Sequence, residues 1–385
     1  MAATLNSTVA DVVVAGGGVI GSAIGWRAAL AGLDVVVVDP ETGDGASLVA
    51  AGMLAPASES LFGEGALLQL NLLALRRFPV LAAELEQAVG EQVGLRQEGT
   101  LAIAYDPGDY AALMRLTAFR RSAGLTAAEL DSRECRQLEP FLTPDVHGGV
   151  LFNGDWSVDN RRYTAALRRA MAAGGVRTIR DRVAAVAGQN GKSASVRLDS
   201  GDVIECGTVV VAAGCWTGQI DGVPDALRTA IRPVKGQLLR LRHPGGMPPI
   251  ITRTIRATVR AADIYLVPRA DGEMIVGATQ EERGDQEITA GAVHDMLHDA
   301  MSVLPVISEL ILAETCAGLR PGTPDNGPLV GWSGVDGVLL ATGHYRNGIL
   351  MSAATAKAAV AYLTGQRPAA EWAAFVPERM GDAGE

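Results

Sequence analysis

The stretch DVVVAGGGVIGSAIGWRAALAGLDVVVVD (residues 11–39) determines the fold class. It opens with a short apolar run of the length expected for a buried parallel strand. A glycine cluster follows, then a helical segment that ends at Gly32, then a second apolar run that ends at Asp39. A strand, a helix and a second strand in this order form a βαβ unit, so the sequence predicts an α/β fold with a parallel sheet.

The glycine cluster has the spacing of a dinucleotide-binding turn. Gly16 permits a tight turn, Gly18 lets the backbone approach a pyrophosphate, and Gly21 lets the helix pack closely on the strand. The pyrophosphate would lie at the helix N-terminus, beside Val19 and Ile20, where free N–H groups and the helix dipole favour an anion. The sequence therefore predicts a dinucleotide site at this turn.

Asp39 stands at the end of the second apolar run, 18 residues after Gly21. A carboxylate at this place accepts hydrogen bonds from ribose hydroxyls. It also disfavours a 2′-phosphate, so the sequence favours NAD or FAD over NADP.

Composition and charge narrow the class of protein. The 385 residues are 48% apolar and 20% charged, which is typical of a globular chain long enough for two domains. A net charge of −10 argues against a nucleic-acid partner. The four cysteines are scattered and predict neither a metal site nor a disulfide framework. With no leader-like N-terminus and no long uninterrupted apolar run, the sequence predicts a cytoplasmic protein without a membrane span.

The middle of the chain alternates helical and strand patterns. Helices are predicted at 67–89 and 109–123, and a third begins after Asp159 as N-cap and stops at residues 174–175. Hairpins are predicted at 195–206 and 264–279, and a separate buried strand runs from residue 208 to Gly214. In the second hairpin Pro268 predicts that the first strand lies at a sheet edge or a bulge.

Nucleotide-type segments at both ends and in the middle of the chain favour FAD, because an NAD dehydrogenase usually keeps its nucleotide fold in one block. The last of them is a strand, a loop at 343–348 and a helix that ends at Gly365. The N-terminus of this helix would stabilise the negative charge of a reduced flavin around N1 and the C2 carbonyl, although this feature alone equally suits an ordinary packing helix. We therefore predict a Rossmann-like FAD-binding domain (1–85, 148–230 and 315–385) with an inserted α+β substrate-binding domain (86–147 and 231–314) around a mostly antiparallel sheet.

Eight motifs resemble, in the same order, those of the D-amino-acid oxidase family of FAD enzymes, and most closely the bacterial glycine oxidases associated with thiamine biosynthesis. They are GGGVIGSAIGWRAALAG (16–32), AAGMLAP (50–56), VVVAAGCWTG (209–218), RPVKGQLL (232–239), YLVPR (265–269), GATQEERG (277–284), AGLRPGTPDNGPLVG (317–331) and GHYRNGILMSAAT (343–355). The first motif is shared by many flavoproteins, whereas AAGML, AGLRPGT and RNGIL are much narrower.

The resemblance implies a non-covalent FAD and a set of residues along it. Ala51, Gly52 and Met53 would lie along the isoalloxazine ring, Ser47 near the phosphate or ribityl part, and Val183 at the adenine. Further cofactor contacts are implied for Gly214, His344, Tyr345, Arg346, Asn347, Gly348, Ile349 and Leu350. Cys316 resembles in position the covalent flavin cysteine of sarcosine oxidases, but the residues around it fit glycine oxidase better.

For the substrate, the resemblance implies that Arg320 binds an amino-acid carboxylate, assisted by the Tyr265 hydroxyl, with Arg346 nearby. A planar guanidinium can meet a carboxylate with two parallel hydrogen bonds. From the residues alone, Arg320 could equally pair with Asp325, Tyr265 could be an ordinary half-buried strand tyrosine, and Arg346 could be a solvated loop residue.

The implied reaction is the oxidative deamination of glycine or another small amine or D-amino acid. Hydride would pass from Cα to flavin N5, O2 would be reduced to H2O2, and the imine would hydrolyse to glyoxylate and ammonia or pass to a thiazole synthase in thiamine biosynthesis. The resemblance further implies a homo-oligomer, possibly a tetramer. Asp263 and Gln280 depart from the family pattern and leave the preferred side chain open. The alternatives are a D-amino-acid or sarcosine-type oxidase, a flavoprotein without oxidase activity and an NAD-dependent dehydrogenase.

Overall fold

A computed structural model of the chain describes residues 9–40, 45–189, 193–244 and 250–381. The helices in these ranges are α1 (Val19–Leu30), α2 (Ala46–Val49), α3 (Gly65–Val89), α4 (Pro107–Ser122), α5 (Ser132–Leu138), α6 (Asn160–Ala173), α7 (Asp225–Ala230), α8 (Ala290–Val303) and α9 (Gly348–Leu363). The strands are β1 (Val9–Ala15), β2 (Val35–Val38), β3 (Met53–Leu54), β4 (Thr100–Ala104), β5 (Ala128–Asp131), β6 (Gly148–Phe152), β7 (Trp156–Ser157), β8 (Arg177–Ile179), β9 (Val183–Gln189), β10 (Ser193–Leu198), β11 (Val203–Val211), β12 (Arg232–Arg242), β13 (Thr254–Val259), β14 (Ala262–Pro268), β15 (Glu273–Gly277), β16 (Ile311–Gly322), β17 (Leu329–Trp332) and β18 (Val338–Thr342).

The first sheet is built around the predicted βαβ unit. Its strand order is β17-β18-β11-β1-β2-β8, with the hairpin β9-β10 attached to β11. β1 is parallel to both β2 and β11, and β11 is parallel to β18. Because side chains alternate along a strand, Val12 and Val14 face a core shared with α1, α3, α6 and α9, while Val13 faces a second core. The sheet is therefore covered on both faces, as parallel sheets require.

The second sheet is the predicted, mostly antiparallel one. Its order is β16-β12-β15-β14-β13-β4-β6-β5, and β13–β4 is the parallel pair in it. α8 packs on one face through Met296 and Ala300, within a separate apolar core. The opposite face of β12, β14 and β16 carries the residues described below as the candidate active site.

Two details of the strand prediction are wrong. Pro268 does not mark an edge strand, because β14 lies between β15 and β13. The proline is tolerated there because it is the last residue of β14, and the ladder with β13 ends two residues earlier, at Leu266. The second arm of the predicted 195–206 hairpin and the buried strand after it are one continuous strand, β11, which pairs with β10 at its start and runs beside β1 along its length.

The observed ladders bear on the domain ranges. β6 is hydrogen-bonded to β4 and β5, and β16 pairs with β12 through Gly322. The proposed ranges place β6 and the end of β16 with the nucleotide-binding part, so we propose to move these two boundaries to follow Phe152 and Gly322.

Helix α3 is long and apolar enough to cross a membrane by length and composition alone. Its apolar residues Leu70, Phe78 and Leu85 are fully buried, in the core that it shares with α1, α6 and α9. This burial is that of a core helix.

Candidate active site

A cavity of about 1110 Å³ is lined by residues from both sheets. Most of the predicted site residues line it: Gly16, Gly18, Val19, Ile20, Asp39, Ser47, Ala51, Gly52, Met53, Val183, Gly214, Tyr265, Arg320, His344, Tyr345, Arg346, Gly348 and Ile349. Gly21, Asn347 and Leu350 do not line it. Residues as far apart in sequence as Gly16 and Ile349 thus meet at one site, which suits a long ligand bound across the first sheet and under the second.

At one end of the cavity is the glycine turn before α1. Gly16 has a φ of +106°, and a Cβ there would lie 2.6 Å from the Ala212 carbonyl oxygen. Gly18 instead has ordinary angles and faces the cavity, with Ser47 Oγ as the nearest atom, 3.4 Å from an added Cβ. Ser47 Oγ accepts a hydrogen bond from the Val19 N–H at 3.0 Å, so this hydroxyl marks where an anion at the helix N-terminus would lie.

The Asp39 carboxylate lies beside the same turn. It accepts a hydrogen bond from the Gly17 N–H, which holds the carboxylate at the carboxyl ends of β1 and β2. Val183, at the start of β9, also lines this part of the cavity. Sequence reasoning missed the charged side chains near it, Arg182, Arg197 and Asp199.

The wall formed by Ala51, Gly52 and Met53 is rigidly held. Gly52 has a φ of +72°, and a Cβ there would lie 2.1 Å from the Val158 carbonyl oxygen. Arg269 is 2% exposed and donates to the carbonyls of Ala51 at 2.7 Å and Val158 at 3.1 Å. The backbone of this wall is thereby fixed from behind.

The N-terminus of α9 supplies a second positive helix end at the cavity. Gly348 and Ile349 line it, and Asn347 caps the helix without a side-chain hydrogen bond, so the first N–H groups of α9 are available to a ligand. His344 is buried, and Nε2 lies 2.9 Å from Thr355 Oγ1. Burial lowers the pKa of His344 to about 3, so this side chain is neutral at physiological pH.

Arg320, on β16, reaches across β12 at the position of Gly236. A Cβ on Gly236 would lie 2.3 Å from Arg320 Nη2, so a glycine is required for the guanidinium to lie there. Nη1 donates to the carbonyls of Lys235 at 3.3 Å and Thr279 at 3.2 Å.

The alternative partner for Arg320 that the sequence left open is engaged elsewhere. Asp325 is paired with Arg379 at 2.9 Å. Within the described ranges, no ion pair joins Arg320 to a carboxylate, so its charge is available to an anion in the cavity.

Tyr265, on β14, approaches Arg320 from the other side. Its ring lies over Gly277 of β15, where an added Cβ would be 2.5 Å from the tyrosine oxygen. Burial raises the pKa of the Tyr265 hydroxyl, and the nearby Arg320 guanidinium offsets part of that rise. The hydroxyl is therefore protonated at neutral pH and can donate a hydrogen bond.

The sequence did not reveal an ion pair at the same end of the cavity. Arg256, opposite Tyr265 on β13, is bonded through Nη1 to Glu59 Oε1 at 2.7 Å, and both residues line the cavity. Asp263 and Gln280, the two departures from the family pattern, also line it. One sequence signal could have indicated where Arg256 lies. It stands nine residues before Tyr265, which places it on the neighbouring arm of a hairpin.

Comparisons with known proteins identify the family. The family model of FAD dependent oxidoreductases matches residues 11–363. The chain belongs to this family of FAD-dependent oxidoreductases. It is 33% identical over 377 residues to the bifunctional protein ThiO/ThiG of Synechocystis sp., a match that covers 97% of this chain and 54% of that protein. The chain thus spans about half the length of the curated bifunctional ThiO/ThiG relatives that it matches.

Shorter relatives match over most of their own length. The glycine oxidase of Geobacillus kaustophilus is 32% identical over 349 residues, 90% of each chain. The crystal structure of glycine oxidase from the same organism superposes with a TM-score of 0.88 at 30% identity, over 97% of this chain and 99% of that one.

FAD is the cofactor of this family, and the residues of the cavity fit it. The open face of Gly18 and the N-terminus of α1 would hold the pyrophosphate, Asp39 a ribose, and the wall at Ala51–Met53 and the N-terminus of α9 the flavin ring. Cys316 does not line the cavity; its thiol donates to Glu314, and burial raises the pKa of the thiol to about 11. The Cys316 thiol is thus engaged with Glu314.

Proposed function

We propose that the chain oxidises the amine of a small amino acid, with glycine as the first substrate to test. The observation that carries this proposal is the guanidinium of Arg320, which lies beside the Tyr265 hydroxyl at the flavin end of the cavity without a carboxylate partner among the described residues. A cavity that offers a cation and a neutral donor side by side suits a carboxylate.

In this proposal Arg320 binds the substrate carboxylate through its free N–H groups, and Tyr265 donates a further hydrogen bond. Two anchors fix the direction in which Cα points, which is the main catalytic contribution that the chain has to make. Gly236 and Gly277 keep the two side chains close to the sheet, so the space above them remains open to the substrate.

FAD, when bound, supplies the two-electron acceptor for the Cα–H bond and is reoxidised by O2 to give H2O2. The substrate amine has to be neutral to donate its lone pair to the forming C=N bond. His344 is held neutral by burial, and Glu59 is engaged by Arg256. We therefore expect the rate to rise with pH toward the ionisation of the substrate amine itself.

The first experiment is the visible spectrum of the purified protein during anaerobic addition of glycine. We expect flavin bands that bleach with glycine and return with air as peroxide forms. Bleaching by sarcosine, D-alanine or D-proline but not by glycine would shift the proposal to the sarcosine or D-amino-acid oxidases. A yellow protein that none of these amines bleaches would contradict the proposal and favour a flavoprotein with another substrate.

The second experiment is Arg320→Ala, with Arg283→Ala as a matched control. Arg283 is an exposed arginine near the same end of the protein that does not line the cavity. We expect Arg320→Ala to retain FAD and to weaken binding of the substrate by about 2–5 kcal/mol, the usual cost of truncating a desolvated charge pair. Unchanged glycine kinetics in Arg320→Ala would rule out the carboxylate-binding role.

We further propose that the imine product serves thiazole formation in thiamine biosynthesis, and that the chain forms a homo-oligomer. The match of this chain to one half of proteins named bifunctional ThiO/ThiG supports the first point. The test is whether adding a thiazole synthase lowers the yield of free glyoxylate per glycine oxidised; an unchanged yield would count against a direct transfer of the imine.

A further inference from the structure

Residues 278–289 connect β15 to α8, and we call this segment the strap. After Gly277 it continues beside β12 with two pairs of hydrogen bonds. Thr279 N–H donates to the Gln237 carbonyl at 3.2 Å, and the Gln237 N–H donates to Thr279 Oγ1 at 2.9 Å. Lys235 and Glu281 then exchange backbone hydrogen bonds at 2.8 and 3.0 Å. The strap thus covers the end of β12 that Arg320 crosses.

Side chains of β12 hold the strap from the face opposite Arg320. Alternation along β12 places Gly236 on the face of Arg320 and the side chains of Lys235 and Gln237 on the other. Gln237 Nε2 donates to Glu281 Oε1 at 2.8 Å, and Gln237 Oε1 accepts from the Thr289 N–H at 2.9 Å. These bonds fasten the strap near both of its ends.

Lys235 supplies the charged contact. It is 0% exposed, and Nζ lies 2.5 Å from Asp285 Oδ1 of the strap. Burying an ammonium group is costly unless a counter-ion accompanies it, so Lys235 and Asp285 have to stay together. Lys235 keeps the pKa of the Asp285 carboxyl low, at about 2, and the pair therefore persists across the physiological pH range.

The strap in turn holds Arg320. The Thr279 carbonyl belongs to the strap and accepts from Arg320 Nη1 at 3.2 Å, beyond Gly236 on the far side of β12. If the strap moved away from β12, Arg320 Nη1 would keep the Lys235 carbonyl at 3.3 Å but would lose the Thr279 carbonyl, which is its acceptor on the far side of the strand. The strap also brings Gln280 and Gln286 to the cavity.

We propose that Lys235 is a positioning residue: by binding Asp285 it fastens the strap, and through the Thr279 carbonyl the strap orients Arg320 toward the substrate carboxylate. This inference rests on the proposed function, because it needs Arg320 to bind a carboxylate.

The test compares Asp285→Asn, Lys235→Met and the control Arg283→Met in the FAD-loaded enzyme. Arg283 binds the exposed side of the same carboxylate at 2.8 Å and is 55% exposed, so its removal leaves Lys235–Asp285 intact. The measured quantities are the inhibition constant of acetate against glycine, kcat, and the dissociation constant of FAD. Acetate reports carboxylate binding without the amine.

The sign of the Asp285→Asn effect separates positioning from simple charge. If charge alone mattered, removing a negative charge near a cavity that carries cations should tighten the binding of acetate. We expect instead that acetate binding weakens about tenfold or more in Asp285→Asn and Lys235→Met, and that kcat falls less. The affinity for FAD in these variants, and acetate binding in the Arg283→Met control, should stay within about twofold of the wild type.

Hydrogen exchange at the amides of Thr279 and Glu281 gives a readout that does not depend on activity. We expect faster exchange in Asp285→Asn and Lys235→Met but not in Arg283→Met. Two results would overturn the role of Lys235 while glycine still bleaches the flavin of the wild type. The first is acetate that binds Asp285→Asn as tightly as it binds the wild type. The second is an Arg283→Met control whose acetate binding weakens as much as that of the two test variants. A wild type that neither glycine nor acetate affects would overturn the proposed function, and the positioning role with it.

Discussion

At the residue scale, the candidate site depends on two glycines that the sequence did not single out. Arg320 and Tyr265 lie on strands β16 and β14, separated by β12 and β15. They come together because Gly236 on β12 and Gly277 on β15 leave room above the two intervening strands. In the proposed function the long side chains bind the substrate, and the glycines determine whether these side chains can meet.

Gly236→Ala should therefore disable Arg320 without changing any polar group. The new Cβ would lie within 2.3–2.4 Å of three guanidinium atoms, so the side chain has to leave its position. We expect acetate and glycine binding to weaken about tenfold or more while FAD remains bound. The matched control is Gly284→Ala, whose Cβ would meet only Pro233 Cγ at 3.5 Å. The measurement is the inhibition constant of acetate for each variant. Equal constants for Gly236→Ala and Gly284→Ala would contradict this prediction.

His344 gives a prediction for pH. Its folded pKa of about 3 lies below the ordinary 6.5, so only the unfolded chain takes up this proton between those values. Stability from this residue is complete above pH 6.5 and is lost as pH falls, by about 1.4 kcal/mol per pH unit. His344→Gln removes the titrating group and should make the curve shallower by that amount between pH 6 and 4.

The measurement is denaturant unfolding of both proteins across this range at fixed FAD. The buried Asp155 carboxyl, whose pKa burial raises to about 6, contributes with the opposite sign below pH 6, but it is common to both proteins and cancels in their difference. Parallel stability curves would show that His344 does not titrate as its burial requires.

Sequence reasoning reached Arg320 only as one of two equal possibilities, and the family resemblance favoured substrate binding. The Asp325–Arg379 pair, which joins residues 54 positions apart, engages the alternative partner of Arg320. Such a partner has no local sequence signal. The Arg256–Glu59 pair was missed for the same reason, since its members are 197 positions apart.

At the element scale, the three glycines of the glycine-rich turn before α1 have different structural roles. Gly16 needs its left-handed φ, Gly21 touches the Gly16 carbonyl, and Gly18 is tightly packed on neither side. Gly18→Ala should therefore leave the free energy of unfolding of the apoprotein within about 1 kcal/mol and weaken FAD about tenfold or more, because the methyl group occupies the approach to the pyrophosphate.

Gly21→Ala is the contrasting variant. A Cβ there would lie 1.8 Å from the Gly16 oxygen, so α1 has to shift away from β1. We expect the apoprotein itself to lose about 1–3 kcal/mol. Fluorescence titration with FAD and denaturant unfolding of the apoprotein measure the two effects; a destabilised Gly18→Ala apoprotein would show that this glycine is structural.

Periodicity and caps predicted most elements because their signals are local. Asp159 caps α6 through two N–H groups, as expected, and α9 follows its loop where the sequence placed it. The misassigned details depended on neighbours in space. The edge assignment of Pro268 fails because β14 lies between β13 and β15, and the unity of β11 follows from its long pairing with β1.

At the scale of the whole molecule, the cavity exists because two sheets are tied together around it. Arg269 extends from the end of β14 in the second sheet to the Ala51 and Val158 carbonyls and to Asn160 Oδ1 at 3.1 Å, at the N-terminus of α6. Burial lowers the pKa of Arg269 to about 10, so the guanidinium remains charged at neutral pH. No sequence pattern marks such a tie, which is why the predicted domain ranges could not include it.

Arg269→Met should loosen this connection and lower the free energy of unfolding by an amount that depends on the groups bonded to Arg269. Three buried acceptors would lose a donor, so we expect the free energy of unfolding to fall by about 3–5 kcal/mol. The matched control is Arg161→Met, which removes another arginine that joins the two parts, but one paired with Glu314 where both side chains are 40–43% exposed. That change should cost less than about 1 kcal/mol. Both variants are unfolded at the same FAD concentration, because bound FAD itself stabilises the folded state. If the two costs were equal, the sheets would be held together by their apolar contacts, and Arg269 would serve only to support the wall at Ala51.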